Sequence, residues 1–514
     1  MGMRNTRPLG WMVWVAPLAI AVLFLAGSAH ARPGSLDPTF GAGGKVLTNI
    51  GLSSEIRGVA LQRDRKIVAA GQWSDGRGLY SALARYKRNG SPDRSFGHRG
   101  VVASKEDAAW AVAIQSDQKI VVAGGSGGRF AVFRYSSRGR LDRSFGSGGK
   151  VISPFEAFGR ALGVAIDATG RIVAVGRVYV DGAGRLAVAR FLSDGRLDPT
   201  FGDQGAVVTR VTGSASAWSV RIQADGRIVV AGSSFVGHIA PADNVRRLGG
   251  TWGNRAFGHS NSVVVRYEPD GTLDQSFGSA GIVEKAQGEF ADFNDLLLQR
   301  DGKITLVGSV DYRFMLVRYR KDGSPDPSFG EGLEPGVVRT RSAYLSGAYA
   351  GALQRDGKIV AGGYGTEYGN KPLGFTLARY RSNGLLDQSF GRHGVVTTRV
   401  TPDGFDVVNA LALQRDGKIV AAGSAVVGGK ERFALARYMG SYTCHVPRVK
   451  GKLLRVAKRK IRRAHCSVGR VKRAYSSEVE KSHVISQRPK AGSRRPDRAK
   501  IRLAISKGRR PAAR

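Results

Sequence analysis

The stretch ALQRDGKIVAAG, residues 412–423, recurs almost unchanged as ALQRDGKIVAGG at residues 352–363. Weaker copies read LQRDRKIVAAG (61–71), IQSDQKIVVAG (114–124), AIDATGRIVAVG (165–176), RIQADGRIVVAG (221–232) and LLQRDGKITLVG (297–308). Seven copies within 514 residues point to one repeat architecture rather than to several unrelated domains. In each copy an apolar run meets a polar turn and then a second apolar run rich in β-branched residues, which is a hairpin pattern. Asp225-Gly226, Asp301-Gly302, Asp356-Gly357 and Asp416-Gly417 occupy the turn, where a positive φ suits glycine. Asp64-Arg65, Asp117-Gln118 and Thr169-Gly170 depart from that consensus, so those three hairpins are expected to use another turn.

The hairpin belongs to a longer unit, LDQSFGRHGVVTT, then VNALALQRDGKIVAAG, then FALARY, into which four strands fit. Its middle strand, Ile419 to Ala422, is apolar without alternation, so both faces of its sheet must be covered. Neighbouring four-stranded sheets arranged around an axis would cover them, and frequent alanine and glycine would let those sheets approach closely. The expected fold class is therefore mainly β, a seven-bladed β-propeller of four-stranded blades. The spacing between the phenylalanines of successive SFG or TFG turns, from Phe40 to Phe390, runs from 49 to 76 residues and suits propeller blades better than solenoid rungs.

A second regularity tests closure. Six times an arginine near the end of a strand precedes an aspartate by eight residues, from Arg85 with Asp93 to Arg379 with Asp387. Asp37 has no preceding arginine and Arg437 no following aspartate. In a ring these two meet as a seventh pair, and residues 36–48 lie beside residues 433–438; in a solenoid they stay far apart. These units resemble the delta-60 repeat family, with its L-D-x-[ST]-F-G turn and Q-x-D-G-K-I-V-V-A-G hairpin. The resemblance covers residues 36–438 and implies no assigned reaction. We assign residues 32–440 to the propeller.

Residues 1–31 read as a secretory signal peptide: Arg4 and Arg7 precede an apolar run from Trp11 to Ala26, and Ala29-His30-Ala31 supplies a cleavage site. After its removal no segment reaches the length of a transmembrane helix. Export places Cys444 and Cys466 in an oxidising compartment, and without a His or Cys cluster nearby a disulfide is expected rather than a metal site.

After Tyr438 the composition changes. Residues 444–514 hold 24 Lys and Arg against three acids, about half of the chain's net charge of +40. Residues 452–464 have a narrow apolar stripe at helical spacing, and strand-like runs follow at 468–474, 483–487 and 500–506. The opening V-P-x-V-x-G (Val446, Pro447, Val449, Gly451), the V-I-S-Q-x-P-x-A-G stretch (Val484 to Gly492) and the closing S-K-G (Ser506 to Gly508) resemble a PASTA domain. The resemblance spans residues 444–508 and implies a small α+β module, one helix on a three-stranded sheet, that binds peptidoglycan or its fragments. Val446, Pro447, Gln487, Arg488, Pro489 and Lys490 are the candidate wall-binding residues. Where the family has Lys-Gly before the V-I-S-Q strand, this chain has Lys481-Ser482-His483, which puts that turn in question. Residues 509–514 read as a disordered basic tail.

The connections that leave the propeller face opposite the Asp-Gly turns vary most, and the largest insertion spans residues 233–261. His238, Asp243, Trp252 and His259 within it are candidate ligand contacts. No convergent catalytic constellation, metal motif or cofactor motif stands out, so a non-enzymatic, secreted or wall-associated scaffold is expected, acting as a monomer. Its partners would be peptidoglycan or an anionic cell-wall polymer, with a protein partner conceivable on a propeller face; the signal sequence disfavours nucleic acid. Two alternatives stay open: an exported glycan hydrolase or lyase, which convergent carboxylates in a pocket including residues 233–261 would favour, and an adhesion or signalling scaffold that binds another protein.

Overall fold

A computed structural model describes residues 32–510 except 106, 153–154, 240–244, 247–251, 254–255, 289–290, 333, 341–344, 367–372, 403, 441–442 and 497–498. The signal-peptide reading therefore lies outside the described residues, as do residues 511–514 of the basic tail. Within the described residues, no helix is long and apolar enough to cross a membrane.

Seven four-stranded antiparallel sheets follow one another as blades. Blade 1 runs Ser53–Leu61, Ile67–Ser74, Leu79–Tyr86 and Val101–Ala103, with neighbours in sequence also neighbours in the sheet. Blade 7 differs: Val407–Leu413, Ile419–Val427 and Lys430–Tyr438 are completed by Lys45–Thr48 from the other end of the domain. Lys45 pairs with Ala436 and Thr48 with Phe433, and a bridge joins Leu36 to Tyr438, so the ring is closed. The VVTT strand of the sequence unit, Val395–Thr398, is the outer strand of the preceding blade. Sequence repeat and structural blade are thus out of phase by one strand, which is what lets the chain's start seal its end.

Burial follows the expected logic. Ile419, Val420, Ala421 and Ala422 have no accessible surface. Val420 and Ala422 pack with Ile56 and Ala69 of blade 1, whereas Ile419 and Ala421 pack with Leu377 and Phe390 of blade 6. Alternate side chains of one strand therefore serve two neighbours, which is why the strand carries no polar face.

Each LD-x-SF-G turn is a connector between blades. Arg437 donates from Nε to the Asp37 carboxylate at 2.8 Å, its guanidinium lies 4.5 Å from the centre of the Phe40 ring, and Nη1 donates to the main-chain carbonyl of Arg88 in blade 1. The same three contacts recur at every blade; Arg85, for example, holds Asp93 at 2.8 Å, stacks on Phe96 at 4.6 Å and reaches the carbonyl of Ser137 in blade 2. Burial alone would raise the Asp37 pKa, but hydrogen bonds from Lys418 and Thr39 and the Arg437 charge outweigh it and hold the group at about 2.

The three unusual hairpins keep the common turn, contrary to the sequence expectation. Arg65 and Gln118 adopt φ of 70° and 71°, beside 91° for Gly170 and 86° for Gly417. The turn is set by two main-chain bonds, Gln62 N to Lys66 O and Arg65 N to Gln62 O, and the same pair joins Gln414, Gly417 and Lys418. The ladder overrides the local preference, at a cost of about 1–2 kcal/mol per non-glycine residue.

Residues 443–506 form a separate small sheet and helix. Ser467–Ala474, Lys500–Ser506 and Val484–Arg488 lie in that order, with the first pair parallel and the second antiparallel. The helix Leu454–Arg463 buries Ala457 and Ile461 against them. Thr443–His445 pairs with Arg494–Pro496, and a disulfide joins Cys444 to Cys466 within the core. Ser482 takes φ of 69°, a left-handed conformation that glycine adopts more readily.

Two outcomes are expected. The seven aspartates of the connectors all have lowered pKa values. A depressed folded value stabilises above the ordinary aspartate value of 3.8 and loses that contribution as pH falls toward 2. Circular dichroism should show a pH-independent fold that melts away between about pH 4 and 2; loss beginning above about pH 5 would contradict the connector assignment. Arg65→Gly and Ser482→Gly should each raise unfolding stability by roughly 1 kcal/mol in urea titrations, because each relieves a left-handed non-glycine residue.

Candidate functional site

The first strand of every blade contains a bulge, where two residues oppose one on the second strand. The extra residues are Arg57, Trp110, Leu162, Trp218, Asn294, Tyr349 and Asn409, and all seven line a channel of about 430 Å³ along the ring axis. The bulge explains the last glycine of the repeat. A Cβ on Gly71, Gly124, Gly176, Gly232, Gly308, Gly363 or Gly423 would lie 1.8–2.0 Å from a carbonyl oxygen of the bulged strand. The glycine is thus required within its own blade, and not only for close approach of adjacent sheets as its frequency suggested.

Channel side chains also tie blades together. Asp295 accepts from Arg221 and Ser219 of blade 4, each at 2.9 Å, and from the main-chain nitrogen of Gly351 of blade 6 at 2.9 Å. The Asn409 amide of blade 7 donates to the Ile56 carbonyl of blade 1 at 2.8 Å. Arg57 pairs with Glu55 at 2.5 Å and lies over Trp110, whose ring centre is 6.2 Å from that of Trp218. Burial, then the Glu55 charge, push the Glu431 carboxyl above its usual range, and burial pushes the Tyr364 phenol up to about 12. No described residue of 233–261 lines this channel.

That insertion is built differently from the expected loop. It extends the second and third strands of blade 4 into Ile228–Ile239 and Ala256–Tyr267, with the short ribbon Val245–Arg246 against Trp252–Gly253. His238 and His259 are carried on these long strands, and His259 is exposed. Asp243 and the side chains of His238 and Trp252 lie outside the described residues, so no cluster of the four candidates is formed among those described. Nor do the described residues contain a group of three or more His, Cys, Asp or Glu placed to hold a metal.

In the C-terminal module a second cavity, of about 900 Å³, has a one-sided chemistry. Arg448 and Lys450, Arg488 and Lys490, and Arg495, Lys500 and Arg502 line it, and no acid does among the described residues. Of the residues singled out from sequence, Arg488, Pro489 and Lys490 line the groove. Gln487 also borders it, but its amide is committed to Val449 N at 2.7 Å and Pro447 O at 2.9 Å. Val446 is a core residue, 2% exposed. Arg448, Arg495 and Arg502 were missed because their sequence neighbourhood is basic throughout; only strand alternation at Lys500 and Arg502 marks them as sharing a face.

Comparison with known families agrees with this architecture. Seven stretches, 62–96, 115–145, 168–201, 248–277, 299–329, 354–390 and 414–440, match the family described as "Domain of unknown function (DUF5122) beta-propeller". The chain belongs to the DUF5122 β-propeller family. Residues 445–507 match the PASTA domain, and the disulfide inside that domain is consistent with an extracellular or wall-associated protein. No curated protein matches the chain. Among solved structures, the polysaccharide lyase Uly1 is similar at 12% identity and a TM-score of 0.40, over 80% of this chain and 97% of that one. Sqt1 from Chaetomium thermophilum gives 11% and 0.43, over 76% and 96%. Drosophila Semaphorin 2a gives 10% and 0.40, over 80% and 76%. At these values neither a reaction nor a partner carries over to the DUF5122 propeller.

Two adjacent glycines test the bulge. A Cβ on Gly124 would sit 1.9 Å from the Ala108 oxygen, whereas one on Gly125 meets nothing closer than 3.5 Å. Gly124→Ala should cost at least about 2 kcal/mol in urea unfolding and Gly125→Ala well under 1 kcal/mol; equal costs would contradict the bulge.

Proposed function

We propose that the protein is an exported, wall-associated binding protein without catalytic activity, held on the wall by its PASTA domain while the propeller presents its faces to other molecules. The observation that carries this reading is the PASTA groove, where seven cations converge with no carboxylate among the described lining residues. Guanidinium and ammonium groups gathered in this way attract carboxylate- and phosphate-bearing polymers, and the attraction weakens as salt rises. Arginine adds a forked donor geometry that favours a bound position over diffuse attraction. The PASTA family's association with wall polymers supports the same ligand class.

Retention on purified cell walls tests it. The full chain carrying Lys490→Glu and Arg502→Glu should lose at least ~10-fold in retained amount at moderate salt, because two charge-assisted contacts become repulsions. Undiminished retention would reject the tether. The wild-type chain incubated with wall polysaccharide should release no reducing ends or unsaturated products; release would reject the non-catalytic reading.

A further inference from the structure

Blade 3 contains an arrangement that the rest of the propeller avoids. Arg160 and Arg177 are direct partners across adjacent antiparallel strands. Like charges in that position destabilise a sheet. Every connector arginine has its aspartate, and the channel arginines Arg57 and Arg221 have Glu55 and Asp295. Neither Arg160 nor Arg177 has a carboxylate partner among the described residues. Burial and the facing Arg177 both disfavour the Arg160 cation. The Nε atoms of Arg177 and of nearby Arg185 are buried with no acceptor.

Aromatic faces flank the pair. Arg160 lies 5.7 Å from the Trp110 ring centre and Arg177 lies 5.1 Å from that of Tyr179. Phe158 stands 6.1 Å from Tyr179 and is 56% exposed. Blade 2 supplies Trp110 beside Arg160, and its strands Ile120–Ser126 and Arg129–Tyr135 are joined by two glycines only. A Cβ on Gly125 of blade 2 would reach the Arg160 Cβ at 3.9 Å, so Arg160 borders blade 2, while Arg177 shares a strand face with Val173 and Val175, which pack on blade 4; Leu162, two residues beyond Arg160, lines the channel.

The geometry points to a binding site for an acidic saccharide at this arginine pair, its carboxylate seated between Arg160 and Arg177 and its ring against Trp110 or Tyr179. Two forked guanidiniums lacking an acid supply the carboxylate contact. The partly exposed aromatic faces beside the two guanidiniums supply the apolar plane. The choice of a saccharide over another carboxylate rests on the wall-associated reading above; the anion site itself does not.

Tryptophan fluorescence of the full chain, titrated with trigalacturonate, tests it, because Trp110 lies beside Arg160 and, with Trp218, lines the channel. The acidic trisaccharide should change the emission, its methyl ester should not, and Arg160→Ala or Arg177→Ala should weaken binding at least ~10-fold. Equal binding of the ester, or unchanged affinity in both variants, would overturn the site. Arg160→Glu separates site from scaffold: it places an acid opposite Arg177, so the melting temperature should hold or rise while binding is lost. A melting temperature lowered by several degrees would make the pair structural and reject the proposal. The Lys490→Glu, Arg502→Glu chain should keep the fluorescence response; if it loses the response while Arg160→Glu retains it, the PASTA groove is the binder and the Arg160–Arg177 pair is not. No response of the wild-type chain to trigalacturonate overturns the site at the arginine pair whatever its wall retention.

Discussion

An arginine at the end of each blade's third strand does three things at once: it neutralises the aspartate of the following turn, lies flat on that turn's phenylalanine, and donates to a main-chain carbonyl of the next blade. The geometry leaves little choice of residue. Lysine has no planar face to stack and no fork to divide between carboxylate and carbonyl. Apolar burial supplies most of the favourable energy, since strands such as Ile419–Val427 are covered on both sides and each fully buried Val or Ile contributes about 1.5–3 kcal/mol. Burial is not directional, however. The buried ion pair adds little net stability but breaking it costs about 3–5 kcal/mol, so it selects the angle at which blades meet and thereby the number that closes.

The ring was legible because its two signals are periodic. The eight-residue spacing from arginine to aspartate reports the connector, and the orphans Asp37 and Arg437 report closure, now visible as a 2.7 Å contact. The hairpins were legible as hairpins, but the turn at Arg65 and Gln118 was not, because the ladder imposes a φ that neither residue prefers. The bulges were hidden more thoroughly. A bulge adds one residue of any type, as the set Arg57, Trp110, Leu162, Trp218, Asn294, Tyr349 and Asn409 illustrates. Its only trace lies on the opposite strand, in the glycine that closes each KIVAAG-type run, and that glycine has a plausible packing explanation of its own.

The same contrast governs the candidate sites. Irregularity of sequence drew attention to residues 233–261, yet the described part of that insertion is mostly an extended hairpin. The groups that converge sit inside regular repeats, at bulge positions and at the cross-strand pair Arg160 and Arg177, where neighbouring units differ by single residues. In the PASTA domain the groove cations come from the opening loop and two strands and are indistinguishable in sequence from the surrounding basic residues. Both places gather cations, in keeping with a chain of net charge +40.

Closure by the chain's own start is the claim on which the channel, its mouth and both faces depend. Residue-resolved hydrogen exchange tests it most directly at the amides of Lys45–Thr48, which pair with Phe433 to Ala436. If the ring is sealed, amides facing that ladder are protected as strongly as those of other outer strands such as Val395–Thr398 and open only with the whole propeller. Exchange of Lys45–Thr48 at the rate of an unstructured segment, with the other outer strands still protected, would contradict a closed ring.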